Sequence, residues 1–414
     1  MEERGNRILT THVGSLIRPP ELIALYQQME QALDGGAPLD NARYQDCLAS
    51  SVADVVRQQA EIGVDLVSDG EFGKSWTWAN YAIDRLSGLE HQELKPGEKF
   101  RSPIHGKDRR DFAEFYADYD PTRVFFGRER SFARRWVVTG PLLYTGHDAL
   151  NRDLTNFRAA LDAVNVTGGF LTAVAPGSML PERDDQFYRS EEEGLFAAAD
   201  ALAVEYRAII DAGFILQVDD AYLASWYDMM QPHGAMDDYR KWAAVRVEAL
   251  NHALKGIPED RTRFHMCWGS WNGPHTTDVP LRSIVDLLLQ VKTGGYVLEM
   301  ANARHQHEWR VWEEVKLPEG RVLVPGVISH QTNVVEHPEL VAERIVRLAK
   351  LVGRENVIAG SDCGFSPGPF LKRFHPSIMW AKLGALAEGA RLASRELWMT
   401  SRSDRTPANM SMQH

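Results

Sequence analysis

Short apolar runs, each stopping at a glycine or a polar residue, alternate along this chain with longer stretches of helical period. The runs at 8–15, 64–71, 169–176, 214–220, 263–269, 296–300, 322–328 and 356–361 read as strands. The stretches at 21–32, 41–62, 149–164, 191–212, 281–291, 338–352 and 376–399 read as helices, the clearest being 191–212, acidic at its start and ended by Gly213. Such alternation predicts a parallel α/β fold. Residues 72–133 break the rhythm, with Trp76, Trp78, Tyr81, Phe112, Phe115, Tyr116 and Tyr119 among many charges. A structureless loop of that length is not expected inside a compact domain. We therefore read 72–133 as an insertion after the second strand, folded over the mouth of the structure, with 135–142 as an extra edge strand.

Eight strands with intervening helices is the count of a (β/α)8 TIM barrel, whose active site lies at the carboxyl ends of its strands. The expectation is one catalytic domain over 1–400 followed by a disordered polar tail, 401–414. An open doubly wound sheet is the alternative. It would not bring the ends of strands one, two, four, five, six and eight together as naturally.

Composition narrows the class. The 414 residues are 44% hydrophobic and 25% charged, as in an ordinary globular protein with ample core. A net charge of −11 argues against nucleic-acid or anionic-membrane partners. No apolar run approaches membrane-spanning length, and the polar start Met1-Glu2-Glu3-Arg4 is not a signal peptide, so a cytoplasmic location is expected. Three cysteines make no disulfide framework, which fits a reducing compartment.

The chemistry centres on Arg263-Phe264-His265-Met266-Cys267-Trp268-Gly269. Residues i and i+2 of a strand share a face, so His265 and Cys267 project together as half of a zinc site. Glu299 and Cys363 end later strand-like runs and are candidates for the other half. Taken singly, a buried Cys is more often a small hydrophobe and a buried His a hydrogen-bonded core residue. The argument lies in the set: two of three cysteines end strands in this pattern, while Cys47 belongs to the interior of helix 41–62.

From His12-Val13-Gly14-Ser15 to Asp362-Cys363-Gly364 the chain resembles the catalytic domain of cobalamin-independent methionine synthase and its single-domain relatives, within the superfamily that also holds uroporphyrinogen decarboxylase. The resemblance implies zinc bound by His265, Cys267, Glu299 and Cys363. It also implies amino-acid binding by Ser15, Glu71 and Asp219, the two carboxylates holding a substrate ammonium. Two features depart from that pattern. The methionine synthases have a duplicated amino-terminal half that helps hold a folate donor, which a chain of 414 residues is not expected to accommodate. The family's catalytic histidine also falls on Gln331, with His330 one place earlier, so His330 is the candidate acid.

Zinc held by thiolates can keep an incoming thiol as a thiolate, which displaces a leaving group from carbon. The resemblance therefore implies transfer of a methyl group from an alkyl donor to a small thiol such as homocysteine. Two alternatives are an epoxide:thiol transferase of coenzyme M type and a metal-free decarboxylase resembling uroporphyrinogen decarboxylase. Lys74, Arg18 and Arg304 are cations that could meet an anionic substrate group. The polar run 302–308 is a candidate support for the metal site.

Overall fold

In a computed structural model, residues 6–33, 40–94, 106–118, 134–179, 184–230, 235–371 and 373–403 are described. Eight strands form one parallel sheet: Leu9–Thr10, Leu66–Val67, Gly168–Val174, Ile215–Asp220, Thr262–Met266, Gly295–Leu298, Val322–Ile328 and Ile358–Ser361, here called the first to eighth. Their order is first, eighth, seventh, sixth, fifth, fourth, third, second, the cyclic order of a (β/α)8 barrel. Between the first and second strands the seam is closed by Asp65, whose backbone N–H donates to Thr10 O at 3.2 Å. The Asp65 carboxylate accepts from Thr10 N at 2.9 Å, and Thr11 Oγ1 donates to Leu66 O at 3.0 Å. Side chains thus replace ladder bonds here, so only two residues of the expected strand at 8–15 are regular.

Two apolar layers pack against the strands, one inside the barrel and one outside it. Leu9, Leu66, Phe170, Val297, Val322, Val324 and Ile358, one or two from each of six strands, form a small interior cluster with Val13. Residues of opposite parity, such as Phe264, Met266, Leu216 and Val218, join the larger cluster between strands and helices. Arg263 lies in the interior, with its guanidinium 3.7 Å from the Phe170 ring centroid. It donates to Gln217 Oε1, Thr11 Oγ1 and the His12 carbonyl.

Helices Asn41–Ile62 and Pro338–Val352 form where their apolar period predicts. The first is capped by the Asp40 side chain and stops at Gly63, where φ is 95° and a β-carbon would be strained. Three expectations need correction. The stretch 281–291 is a 3₁₀ turn, Leu281–Ser283, and a single helical turn, Val285–Leu288, because Ile284 (φ −136°, ψ −1°) leaves helical geometry between them. Helices Ala221–Met230 and Met236–Ala253 connect the fourth and fifth strands where no helix was read. The last helix, Pro376–Ser403, also extends three residues into the expected tail, whose residues 404–414 lie outside those described.

The segment after the second strand divides into two described parts. Phe72, Tyr81, Ala82 and Leu86 join the principal core. Arg85 is buried between Asp153 (2.5 Å) and Glu205 (3.0 Å), so removing it would strand two carboxylates. Beyond it, Leu89–Glu93 pairs antiparallel with Arg134–Val138, which pairs in turn with Asp184–Asp185. Helices Lys107–Asp111 and Ala113–Asp118 reach the loop that follows the fifth strand. There Asp108 accepts from His275 N, Thr276 N and Thr276 Oγ1, and Trp271 Nε1 donates to Tyr116 Oη at 3.0 Å. Residues 95–105 and 119–133 of the insertion lie outside those described.

Candidate metal centre at the barrel mouth

Strand parity places the first ligand candidates. In the fifth strand Arg263 and His265 face the interior, and Cys267 follows on the same side at the strand's end. Cys363 follows the eighth strand by two residues, and one ligand atom each of His265, Cys267 and Cys363 lies within 4.8 Å of the other two. All three residues are buried. His265 Nδ1 pairs with Asp219 Oδ1 at 3.0 Å, while Nε2 has no hydrogen-bond partner. Asp219 stands opposite His265 in the parallel register, so this contact follows from strand pairing. A carboxylate on one imidazole nitrogen that leaves the other bare is the arrangement by which proteins orient metal-binding histidines. Burial opposes charge on His265, but Asp219 and Cys363 beside it raise its pKa to about 10. The two thiols share a hydrogen bond, which lifts Cys267 well above its usual pKa and drops Cys363 well below. Two thiol sulfurs and an imidazole nitrogen without a hydrogen-bond partner are a soft donor set suited to a metal ion.

Glu299 falls into a neighbouring group, with one ligand atom each of Glu299, His330 and Asp362 within 4.8 Å of one another. Its carboxylate accepts from Trp268 N at 3.0 Å and from Asn302 Nδ2 at 2.7 Å. Burial raises its pKa to about 8. Asp362 is held at 2.8 Å by both Met300 N and Ala301 N, and Asn302 Nδ2 reaches its second oxygen. His330 is completely buried, with neither ring nitrogen hydrogen-bonded, and burial lowers its pKa to about 3.

The tail-binding candidates lie across the mouth. Ser15 is buried beside Gly364, where a β-carbon would come within 1.9 Å of Ser15 Oγ, so residue 364 must lack a side chain. Glu71 adopts the left-handed backbone at φ 61°, sparse territory for a non-glycine residue and often functional. Asp69 Oδ1 accepts from its N–H at 2.9 Å and Arg18 donates to its carbonyl at 2.6 Å. The Glu71 carboxylate already has a partner: Lys74 Nζ donates to Oε1 at 3.1 Å and to Thr172 Oγ1 at 2.6 Å. Thr172 Oγ1 then donates to the same Oε1 at 2.6 Å. Glu71 Oε2 is buried and unpartnered.

Of the other cations, Arg18 is spent on the carbonyls of Glu71, Lys74 and Ser366, and Arg304 donates to the Thr276 carbonyl. Sequence reasoning missed the relation of Lys74 to Glu71, because only the left-handed Gly70-Glu71 turn brings their side chains together. It also missed Asp278, which binds His275 Nδ1 at 3.1 Å and His305 Nε2 at 2.9 Å. His305 stacks on Trp268 with 4.1 Å between ring centroids. The polar run 302–308 was the available signal: Asn302 and His305 lie in it, beside Glu299.

No protein-family model matches the chain. It is 24% identical over 383 residues to the uncharacterized protein YxjH of Bacillus subtilis, covering 90% of this chain and 91% of that one. It is 23% identical over 392 residues to a methionine synthase of Thermococcus kodakarensis, covering 94% of each. A 2-hydroxypropyl-CoM lyase of Xanthobacter autotrophicus is 24% identical over 403 residues, covering 89% of this chain and 91% of that one. Among solved structures, a B12-independent methionine synthase from Shewanella sp. W3-18-1 superposes with a TM-score of 0.68 at 19% identity, over 95% of this chain and 99% of that one. The chain is thus similar over most of its length to proteins named methionine synthase, and it shares the fold of a B12-independent methionine synthase.

Proposed function

We propose that this chain is a zinc-dependent enzyme that transfers an alkyl group, in the first instance methyl, from a small-molecule donor to a small thiol of the homocysteine type. The observation that carries this reading is the convergence of His265, Cys267 and Cys363, with a bare imidazole nitrogen, at the carboxyl ends of barrel strands. Relatives named methionine synthase support it over most of the chain. Held by these residues, with Glu299 as a fourth donor, zinc would supply the positive charge that keeps a substrate thiol deprotonated at neutral pH.

The remaining roles belong to the chain's own side chains. Asp219 orients His265. Asn302 and the Trp268 amide receive Glu299. His330, with neither ring nitrogen hydrogen-bonded, would give a proton to the leaving group. Ser15, Glu71 and Asp219 form the pocket for the thiol's tail. Burial of every one of these groups keeps water from competing. A metal-free decarboxylase would have no use for the cysteine pair. The need for two reduced cysteines suits a cytoplasmic enzyme, and no helix among the described residues is long and apolar enough to cross a membrane.

The second reading, an epoxide:thiol transferase, is favoured by the Lys74 ammonium on Glu71 and by the 2-hydroxypropyl-CoM lyase relative. The deciding experiment offers the zinc-loaded protein a panel of thiols against methyl donors and short epoxides, with products identified by mass. The proposal expects an S-methyl thioether. A hydroxyalkyl thioether moves the second reading ahead, and no thioether from any pairing refutes both.

A further inference from the structure

Two carboxylates facing one pocket would select an ammonium-bearing thiol if both were uncompensated, since a cation between them gains charge-assisted hydrogen bonds and an anion is repelled. In this chain Glu71 already has an internal cation in direct contact, whereas Asp219 accepts from the Gln217 amide and pairs with His265 Nδ1. Lys74 sits on Glu71 at 3.1 Å with both side chains buried. Its remaining contacts are Thr172 Oγ1 and the face of Tyr81, 4.3 Å from the ring centroid. On the other side, Gln217 bridges Asp219 to the interior arginine: its Nε2 donates to Asp219 Oδ1 at 2.7 Å and its Oε1 accepts from Arg263 Nε at 2.7 Å. The pocket is thus close to charge balance before a ligand enters. Arg18 donates to the Lys74 and Glu71 carbonyls and so braces the backbone that carries both side chains. One polar atom is left over, the buried Glu71 Oε2.

We propose that Lys74 is a specificity-determining residue: by neutralising Glu71 it makes the tail pocket tolerant of thiols that carry an acidic tail and no ammonium group, alongside amino-acid thiols. The inference rests on the thiol-binding reading above. In a desolvated pocket a single charge at this distance outweighs differences in tail packing, because the low dielectric strengthens both the attraction and the repulsion. With the lysine uncharged, Glu71 and Asp219 would face the tail with excess negative charge. An ammonium would then be favoured and a bare carboxylate tail rejected.

The test compares homocysteine with its des-amino analogue, 4-mercaptobutyrate, titrated into the cobalt-substituted protein and followed by the thiolate-to-cobalt absorption band. Wild type is expected to bind the two within about tenfold of each other. Lys74→Gln keeps a hydrogen-bond donor for Glu71 and Thr172 but removes the charge. It is expected to shift the ratio toward homocysteine by about tenfold or more, and Lys74→Met should reproduce the shift if the glutamine variant folds poorly. A ratio unchanged in whichever variant folds overturns the inference alone, because thiol binding itself is then intact. So does a wild type that already rejects 4-mercaptobutyrate by about a hundredfold. If neither thiol perturbs the cobalt spectrum of wild type, the thiol-binding reading fails, and this inference fails with it.

Discussion

The two sides of the barrel mouth satisfy their polar atoms in opposite ways. On the side built by strands five to eight, atoms are left open: His265 Nε2 and both nitrogens of His330 have no partner. On the side built by strands one to three, Glu71, Lys74, Thr172, Asp69 and Arg18 form a mostly closed network, in which Glu71 Oε2 and Arg18 Nε are the buried side-chain atoms without a partner among the described residues. Burying a polar group without a partner costs roughly 1–3 kcal/mol, so a fold retains such groups where a ligand completes them. On the reading proposed above, the open side is where the metal and the thiol bind. The closed side is a rigid wall that shapes what the ligand carries.

That contrast is open to direct attack. The largest effect is expected for Cys363→Ser, which removes a sulfur donor. Metal affinity should fall by more than the roughly 10–100-fold typical of losing an outer partner, with activity lost. The metal-free protein should keep its circular dichroism and melting temperature, since the open side contributes little to the fold. Metal retention in this variant would remove Cys363 from the site.

Asp219→Asn comes next. Asp219 orients His265, so the substitution should weaken metal binding about 10–100-fold and not only thiol binding. Competition with a chromophoric chelator measures this, and unchanged affinity would show that the carboxylate serves the thiol tail alone. On the closed side, Thr172→Val should destabilise the metal-free protein by about 1–3 kcal/mol in urea unfolding, because Lys74 and Glu71 both lose a partner. A neutral result would mean the wall is looser than its hydrogen bonds imply.

The smallest effect concerns the loop over the metal side. Asp278 binds both His275 and His305. Burial opposes charge on His305, but the bond to Asp278 raises its pKa from 6.5 to about 9. A folded pKa above the unfolded one means the ion pair stabilises fully below about pH 6.5 and loses its contribution as pH rises through about 9. The melting temperature of the metal-free protein should therefore decline between about pH 7 and 10. Asp278→Asn should flatten that decline, and an equal decline in the variant would assign it to other groups.

The comparison also explains what the sequence revealed. Strand ends were legible because parallel strands buried on both faces are continuous apolar runs stopped by glycine or polar residues, and parity then aligned His265 with Cys267. The barrel and the cysteine–histidine cluster follow from that local rule. The closed side was not legible because its contacts depend on backbone excursions, the left-handed pair Gly70-Glu71 above all, and on partners as far apart as Lys74 and Thr172. Helices 221–230 and 236–253 escaped notice because their sequences lack a sharp amphipathic period.

The central claim is that the open side holds one zinc with a position for a substrate thiol. X-ray absorption of the zinc-loaded protein, recorded before and after adding homocysteine, tests it directly. The account predicts two sulfur neighbours from Cys267 and Cys363 with nitrogen and oxygen completing the shell, rising to three sulfurs as Glu299 gives way. A sulfur count that stays at two with saturating thiol, in protein whose zinc content is about one per chain, would contradict it.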